Sequence, residues 1–165
     1  MKIRGWLLFV GSLLLVAGSF YVRKMPRESE IGYEISDNVL YNVTRLSIVH
    51  HITPLLHGRD AYIVFLDVDK RVDTGRLRES LSGLKGMVFR SAMELPEGWS
   101  RRDAEEGHEV KERVFVVRLF RSSPTEVVMN CTWIASETGH TYLVYELRKR
   151  WGKWHVEKVH VTGAA

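Results

Sequence analysis

One cysteine in 165 residues, Cys131, excludes an intramolecular disulfide and a thiolate metal site. A charge excess is also missing from most of the chain. Of the 24 Lys and Arg, four (Lys2, Arg4, Arg23, Lys24) fall in the first 24 residues, which hold no Asp or Glu. The remaining 20 basic residues face 20 acidic ones. The net charge of +4 therefore belongs to the N-terminal segment. A polyanion-binding domain needs a basic face with surplus charge, so no nucleic-acid partner is expected. No cysteine stands directly after the N-terminal apolar run, which excludes a bacterial lipoprotein.

What is present first is that run. Gly5 to Val22 (GWLLFVGSLLLVAGSFYV) is uncharged, with Lys2 and Arg4 before it and Arg23, Lys24 and Arg27 after it. As a helix, 18 residues rise roughly 27 Å, close to the thickness of a bilayer core. Residues 5–22 are therefore expected to engage a membrane, as a signal-anchor helix over residues 1–24 with a polar tether over 25–35. Phe20 and Tyr21 stand just before Arg23, where interfacial aromatics belong. Val16-Ala17-Gly18 also fits a signal-peptidase site, so secretion after cleavage is the alternative. Basic residues on both sides leave the positive-inside rule undecided. A single N-terminal span commonly leaves the following domain outside, which predicts a single-pass membrane protein with an extracytoplasmic, periplasmic domain over 36–165.

Within that domain Asp37 is the expected cap of a helix from about Asn38 to Ile52, with Val39, Leu40, Val43 and Leu46 at helical spacing. Pro54 and Gly58 end it. Tyr62–Leu66 reads as a short buried strand, Arg76–Leu84 as a short helix and Met87–Met93 as a strand. Pro96 to Gly107 reads as a charged loop. The last third alternates as a four-strand meander over 114–121, 126–135, 140–148 and 153–161. A shift of apolar phase predicts a bulge near Lys158. The expected fold is α+β: one curved antiparallel sheet with one or two packed helices.

Some residues fit a known pattern. Phe65-Leu66, Asp73, Leu77, Leu81, Val88 and Ser91, then Thr125-Glu126-Val127, Ser136, Gly139, Thr141-Tyr142, Gly152-Lys153-Trp154 and Val156 resemble a family of small uncharacterised bacterial exported or membrane-anchored proteins. Thr74 and His140 stand where that pattern has Pro and Asn. The resemblance covers most of residues 37–160 and implies a fold without an assigned activity. The Gly-x-Trp ending is also similar to nuclear-transport-factor-2-like domains.

Several constellations bear on chemistry. Asp67-Val-Asp69 at a strand end resembles the aspartate pair of haloacid-dehalogenase-like phosphatases, but Arg71 occupies the place of the required hydroxyl residue. A solvated strand end paired with Lys70 and Arg71 is the expectation. His50, His51, His57 and Asp60 cluster, yet adjacent histidines on a helix point about 100° apart, which suits a polar helix end better than zinc. His108 with Glu105, Glu106 and Glu109 reads as a charged loop. His140, His155 and His160 are the acid/base candidates if the sheet is cupped, without an assignable carboxylate. Cys131 shares a strand face with Val127, Met129 and Trp133, as a core thiol does. Trp133, Tyr142, Tyr145, Trp151 and Trp154 read as core and sheet-face packing. Arg148-Lys149-Arg150 with Lys153 reads as an exposed turn, or as a contact for anionic head groups if the turn faces a membrane. No catalytic, metal or cofactor residue emerges. The expected function is a non-enzymatic binding or envelope-assembly module with a protein partner. The alternatives are an exported enzyme with a His acid/base and a secreted small-molecule carrier.

Overall fold

The computed structural model describes residues 33–58, 60–97, 110–135 and 139–164. The expected membrane segment 5–22, most of the 96–107 loop and the His108 cluster lie outside the described residues. No helix among the described residues is long and apolar enough to cross a membrane.

Helix α1 (Asp37–Ile52) begins one residue before the predicted start, because Ser36 and not Asp37 is its cap. The Ser36 hydroxyl accepts from the Val39 amide at 3.4 Å. Asp37 sits in the first turn, where its charge favours the helix dipole. The helix buries Leu40, Val43, Ile48 and Ile52 completely, each contributing roughly 1.5–3 kcal/mol. A 3-10 turn (Thr53–His57) follows, with Pro54 near its start, and Gly58 closes it.

Strand β1 (Ala61–Asp67) leads to α2 (Thr74–Leu81), a helix too short to persist alone. Asp73 caps α2 by accepting from the Arg76 amide at 3.0 Å. Leu77 and Leu81 fix it to the core. Strand β2 (Met87–Ser91) is shorter than predicted. Ser91 and Glu94 form a capping box that turns the chain into a 3-10 helix (Ala92–Glu94). Strands β3 (Val110–Ser122), β4 (Glu126–Ile134), β5 (His140–Arg150) and β6 (Lys153–Ala164) complete the sheet.

The sheet order is β2-β1-β3-β4-β5-β6. The β3–β6 meander is antiparallel, as expected. The wholly antiparallel sheet is corrected: β1 pairs parallel with both β2 and β3, so the six-stranded sheet is mixed. The cause is visible in β1, which is apolar toward both faces, as an interior parallel strand must be. Val64 and Leu66 join the main core, while Phe65 and Val114 form a second cluster with Ile63, Leu95, Val116 and Ile134. The β1–α2–β2 crossover supplies the parallel neighbour. At the outer strand β2, Arg78 Nε donates to the Phe89 carbonyl at 3.1 Å and Arg78 also pairs with Glu94 at 2.8 Å. Arg78 thereby occupies an edge acceptor that another strand would otherwise seek.

The register fixes which ends meet. The chain direction places the end of β3, the start of β4 and the β5–β6 turn at one end of the sheet. Lys149 N donates to Thr125 O at 2.8 Å, tying the β3–β4 turn to β5. Tyr33, the first described residue, is held there too, since the Ser122 hydroxyl donates to the Tyr33 carbonyl. Ile35 is already in the core. The predicted irregularity in β6 is present: Glu146 faces Lys158 and Leu147 faces Val156, leaving Glu157 as the extra residue. The two-residue β5–β6 loop has Trp151 at φ 50° and Gly152 at φ 79°, the pattern of a type I′ turn. Glycine adopts this conformation freely. A tryptophan there costs roughly 1–2 kcal/mol, and Trp151 is the only non-glycine with positive φ among the described residues.

Candidate functional site

The most distinctive chemistry lies where the last turn of α1 meets β3, β4 and β5. His51 falls on the same helical stripe as Leu40, Thr44, Ser47 and Ile48, so the helix that buries those residues turns His51 toward the sheet. Its ring stacks on Phe115 at 4.8 Å with planes 15° apart, and lies against Trp133 at 4.8 Å. Phe115 and Trp133 face each other across β3 and β4 and meet edge to face at 5.7 Å. Nδ1 of His51 lies 3.3 Å from the Tyr145 hydroxyl. His50, about 100° around the helix, is exposed and meets Tyr145 edge-on at 5.7 Å.

The protonation states follow from burial. Desolvation, with His50 beside it as a smaller cause, lowers the His51 pKa to about 4. The ring is therefore neutral at pH 7. Burial pushes the Tyr145 phenol well above its usual range. Both groups are neutral, so a single hydrogen bond joins the Tyr145 hydroxyl and His51 Nδ1, its direction set by the imidazole tautomer. Cys131, near this pair on β4, is buried and its thiol is also pushed up. It stays protonated and unreactive. A neutral, stacked histidine with its Nδ1 held by a buried phenol is a ring locked in place.

The other expected groups are dispersed. Asp67 accepts from Arg118 at 2.6 Å. Asp69 accepts from the Arg71 amide at 3.0 Å and pairs with its guanidinium at 3.4 Å. The strand-end carboxylates are thus ion-paired, Asp69 with the expected Arg71 and Asp67 with Arg118 of β3. Asp60 joins Lys111 at 2.5 Å, and that donated hydrogen bond holds its carboxyl below the usual range. Asp60 is therefore engaged apart from His50, His51 and His57. Among the described residues no three His, Cys, Asp or Glu stand close enough to hold a metal ion. His160 does find a carboxylate, Glu146 at 3.1 Å, on the open face of β5–β6. His140 stacks on Tyr142 at 6.3 Å. His155 lines a shallow groove of about 320 Å³ with Arg150, Trp151, Val156 and Glu157. A larger open groove of about 550 Å³ runs between α2 and β2, lined by Gly75, Arg78, Glu79, Met87, Val88 and Phe89 among others.

Trp133, Tyr145 and Trp154 pack against the core as read from the sequence. Trp151 does not: it is 96% exposed at the hairpin tip. The His51–Tyr145 pair was not expected. The helical phase of His51 with Leu40 and Ile48 was the signal available for its burial, whereas its partner depends on tertiary placement. No family model, no curated protein and no solved structure matches the chain. The family resemblance therefore rests on the quoted residues alone.

Proposed function

We propose that the chain is a membrane-tethered extracytoplasmic domain that acts by binding a protein partner in an envelope assembly, without catalysis. The observation that carries this reading is the short distance in sequence between the apolar run and the fold. Ser122 already holds Tyr33, and only residues 23–32 separate it from Val22. Fully extended, that stretch reaches at most roughly 40 Å. A domain on so short a leash works at the membrane surface. The open groove beside β2, where half-exposed Val88 stands with Arg78, Glu79 and Ser82, offers a partner a mixed polar and apolar surface. The neutral His51 and the ion-paired Asp67 and Asp69 are employed by the fold itself.

The test is the intact mass of the protein from alkaline-carbonate-washed membranes and from the soluble fraction of its native host. A full-length 19.1 kDa chain in the washed membranes is the expected result. A soluble chain beginning at Ser19 would overturn the tethered reading and favour a secreted carrier.

One observation favours a second reading, an exported enzyme with a His acid/base. His160 Nε2 lies 3.1 Å from Glu146 Oε1, within reach for an oriented general base. His160→Ala separates the readings, because both side chains are exposed and folding should survive. The binding module predicts an unchanged phenotype in the host, whereas the enzyme predicts its loss.

A further inference from the structure

We infer that the tip of the β5–β6 hairpin is a second membrane contact, a docking finger for a bilayer surface rich in anionic phospholipid. The inference rests in part on the reading of residues 5–22 as a membrane anchor.

Three independent features of the tip converge. Trp151 is 96% exposed and stands in a left-handed backbone conformation. Folding gains nothing evident from either, and strain retained at an exposed aromatic marks a site of use. Tryptophan is also the side chain that favours the head-group layer, with an apolar body and a polar N–H. The second feature is charge. Between residues 148 and 157 the chain carries Arg148, Lys149, Arg150 and Lys153 against a single acidic residue, Glu157. Glu157 is engaged by Arg150 at 2.6 Å and lies 3.9 Å from Arg148. Lys149 and Lys153 are exposed on either side of the turn. The domain as a whole has balanced charge, so this local surplus is not a by-product of composition. The third feature is position. Tyr33 is held at the Ser122 end of β3, and the Thr125 carbonyl beside that end is bonded to Lys149. The point where the chain leaves the fold toward its N-terminus and the Trp151 tip therefore belong to the same end of the sheet. A connection that starts at Tyr33 starts at the end of the sheet that carries the Trp151 tip.

Anionic head groups match this arrangement. Phosphate oxygens take the Lys149 and Lys153 charges, each worth about fivefold in affinity near a charged surface. The indole inserts at the boundary of the acyl region. The type I′ turn presents both from a rigid two-residue loop, so little is lost in ordering.

The experiment uses the full-length chain reconstituted into phosphatidylcholine vesicles, with and without phosphatidylglycerol, all carrying brominated acyl chains. Quenching of wild type is compared with that of Trp151→Phe, so that the difference isolates Trp151 from the other four tryptophans. Flotation before and after an alkaline-carbonate wash is read on the same samples. The expected result is wash-resistant flotation together with Trp151 quenching that appears only with phosphatidylglycerol and disappears in Lys149→Glu/Lys153→Glu. Wash-resistant flotation without Trp151 quenching overturns the finger and leaves the anchor. Wash-sensitive, salt-sensitive flotation that needs phosphatidylglycerol and is lost in Trp151→Ala and in Lys149→Glu/Lys153→Glu supports the finger and removes the anchor. No flotation in any lipid removes both. All three positions are exposed, so far-ultraviolet circular dichroism of the variants should match wild type.

Discussion

Phe115→Ala is expected to remove about 3–5 kcal/mol of stability, and the melting temperature should fall by roughly 10–20 °C. Phe115 is fully buried at the middle of β3 and touches both His51 and Trp133. Its loss removes apolar burial and leaves a cavity between α1 and the sheet. Two rings would then lose their packing partner together, so the site is poorly able to collapse into the void. A domain of this size has only about 5–15 kcal/mol to lose. Thermal denaturation followed by near-ultraviolet circular dichroism measures the effect, because Trp133 reports locally. Trp151→Ala is the control, expected to stay within about 0.5 kcal/mol as an exposed substitution. A drop of less than about 1 kcal/mol in Phe115→Ala would mean that the aromatic cluster is not part of the stable core.

The second large effect is pH dependence through His51. In the folded chain its pKa lies at about 4, below the ordinary histidine value of 6.5. The unfolded chain therefore binds the proton more readily. Stability from this group is complete above pH 6.5 and is lost as pH falls toward 4. Between pH 7 and pH 5 the loss amounts to about 2 kcal/mol. Urea unfolding at the two pH values should show a lower midpoint at pH 5 in wild type. In His51→Gln, which keeps an acceptor for the Tyr145 hydroxyl but does not titrate, that difference should shrink by about the same 2 kcal/mol. An unchanged pH difference in His51→Gln would place the titrating group elsewhere.

Local pattern made most of the elements legible. The alternation of Val127, Met129, Cys131 and Trp133 placed all four on one face of β4, and the structure keeps them there. The helix over residues 38–52 was legible from Leu40 and Val43, with its start off by one because Ser36 and Asp37 are both capping residues. The parallel pairing of β1 was not legible. A run such as Tyr62–Leu66 announces a buried strand but carries nothing that names its neighbours. The same limit hid the Asp67–Arg118 and Asp60–Lys111 ion pairs, which depend on that pairing. Trp151-Gly152 is legible as the turn between β5 and β6, but the Trp151 side chain, read as packing, stands 96% exposed at its tip. The His51–Tyr145 contact needed a helix end and a strand separated by 94 residues to be brought together.

The parallel pairing of β1 with β3 has a kinetic consequence. Strands β3 to β6 are joined in sequence by turns, so the meander can assemble from local hairpins. Strand β1 must return across a far longer loop, with Asp67 meeting Arg118 from 51 residues away, and such closures come late. Until then the 13-residue β3 is an open border of the nascent sheet, able to recruit strands from other chains. Lys111, Arg113 and Arg118 lie along that border with Glu112 between the first two, and a surplus of one charge disfavours pairing with copies of itself. Once β1 arrives, Asp60 and Asp67 take up Lys111 and Arg118. Lys111 and Arg118 thus lock the register of β3 against β1 in the finished sheet.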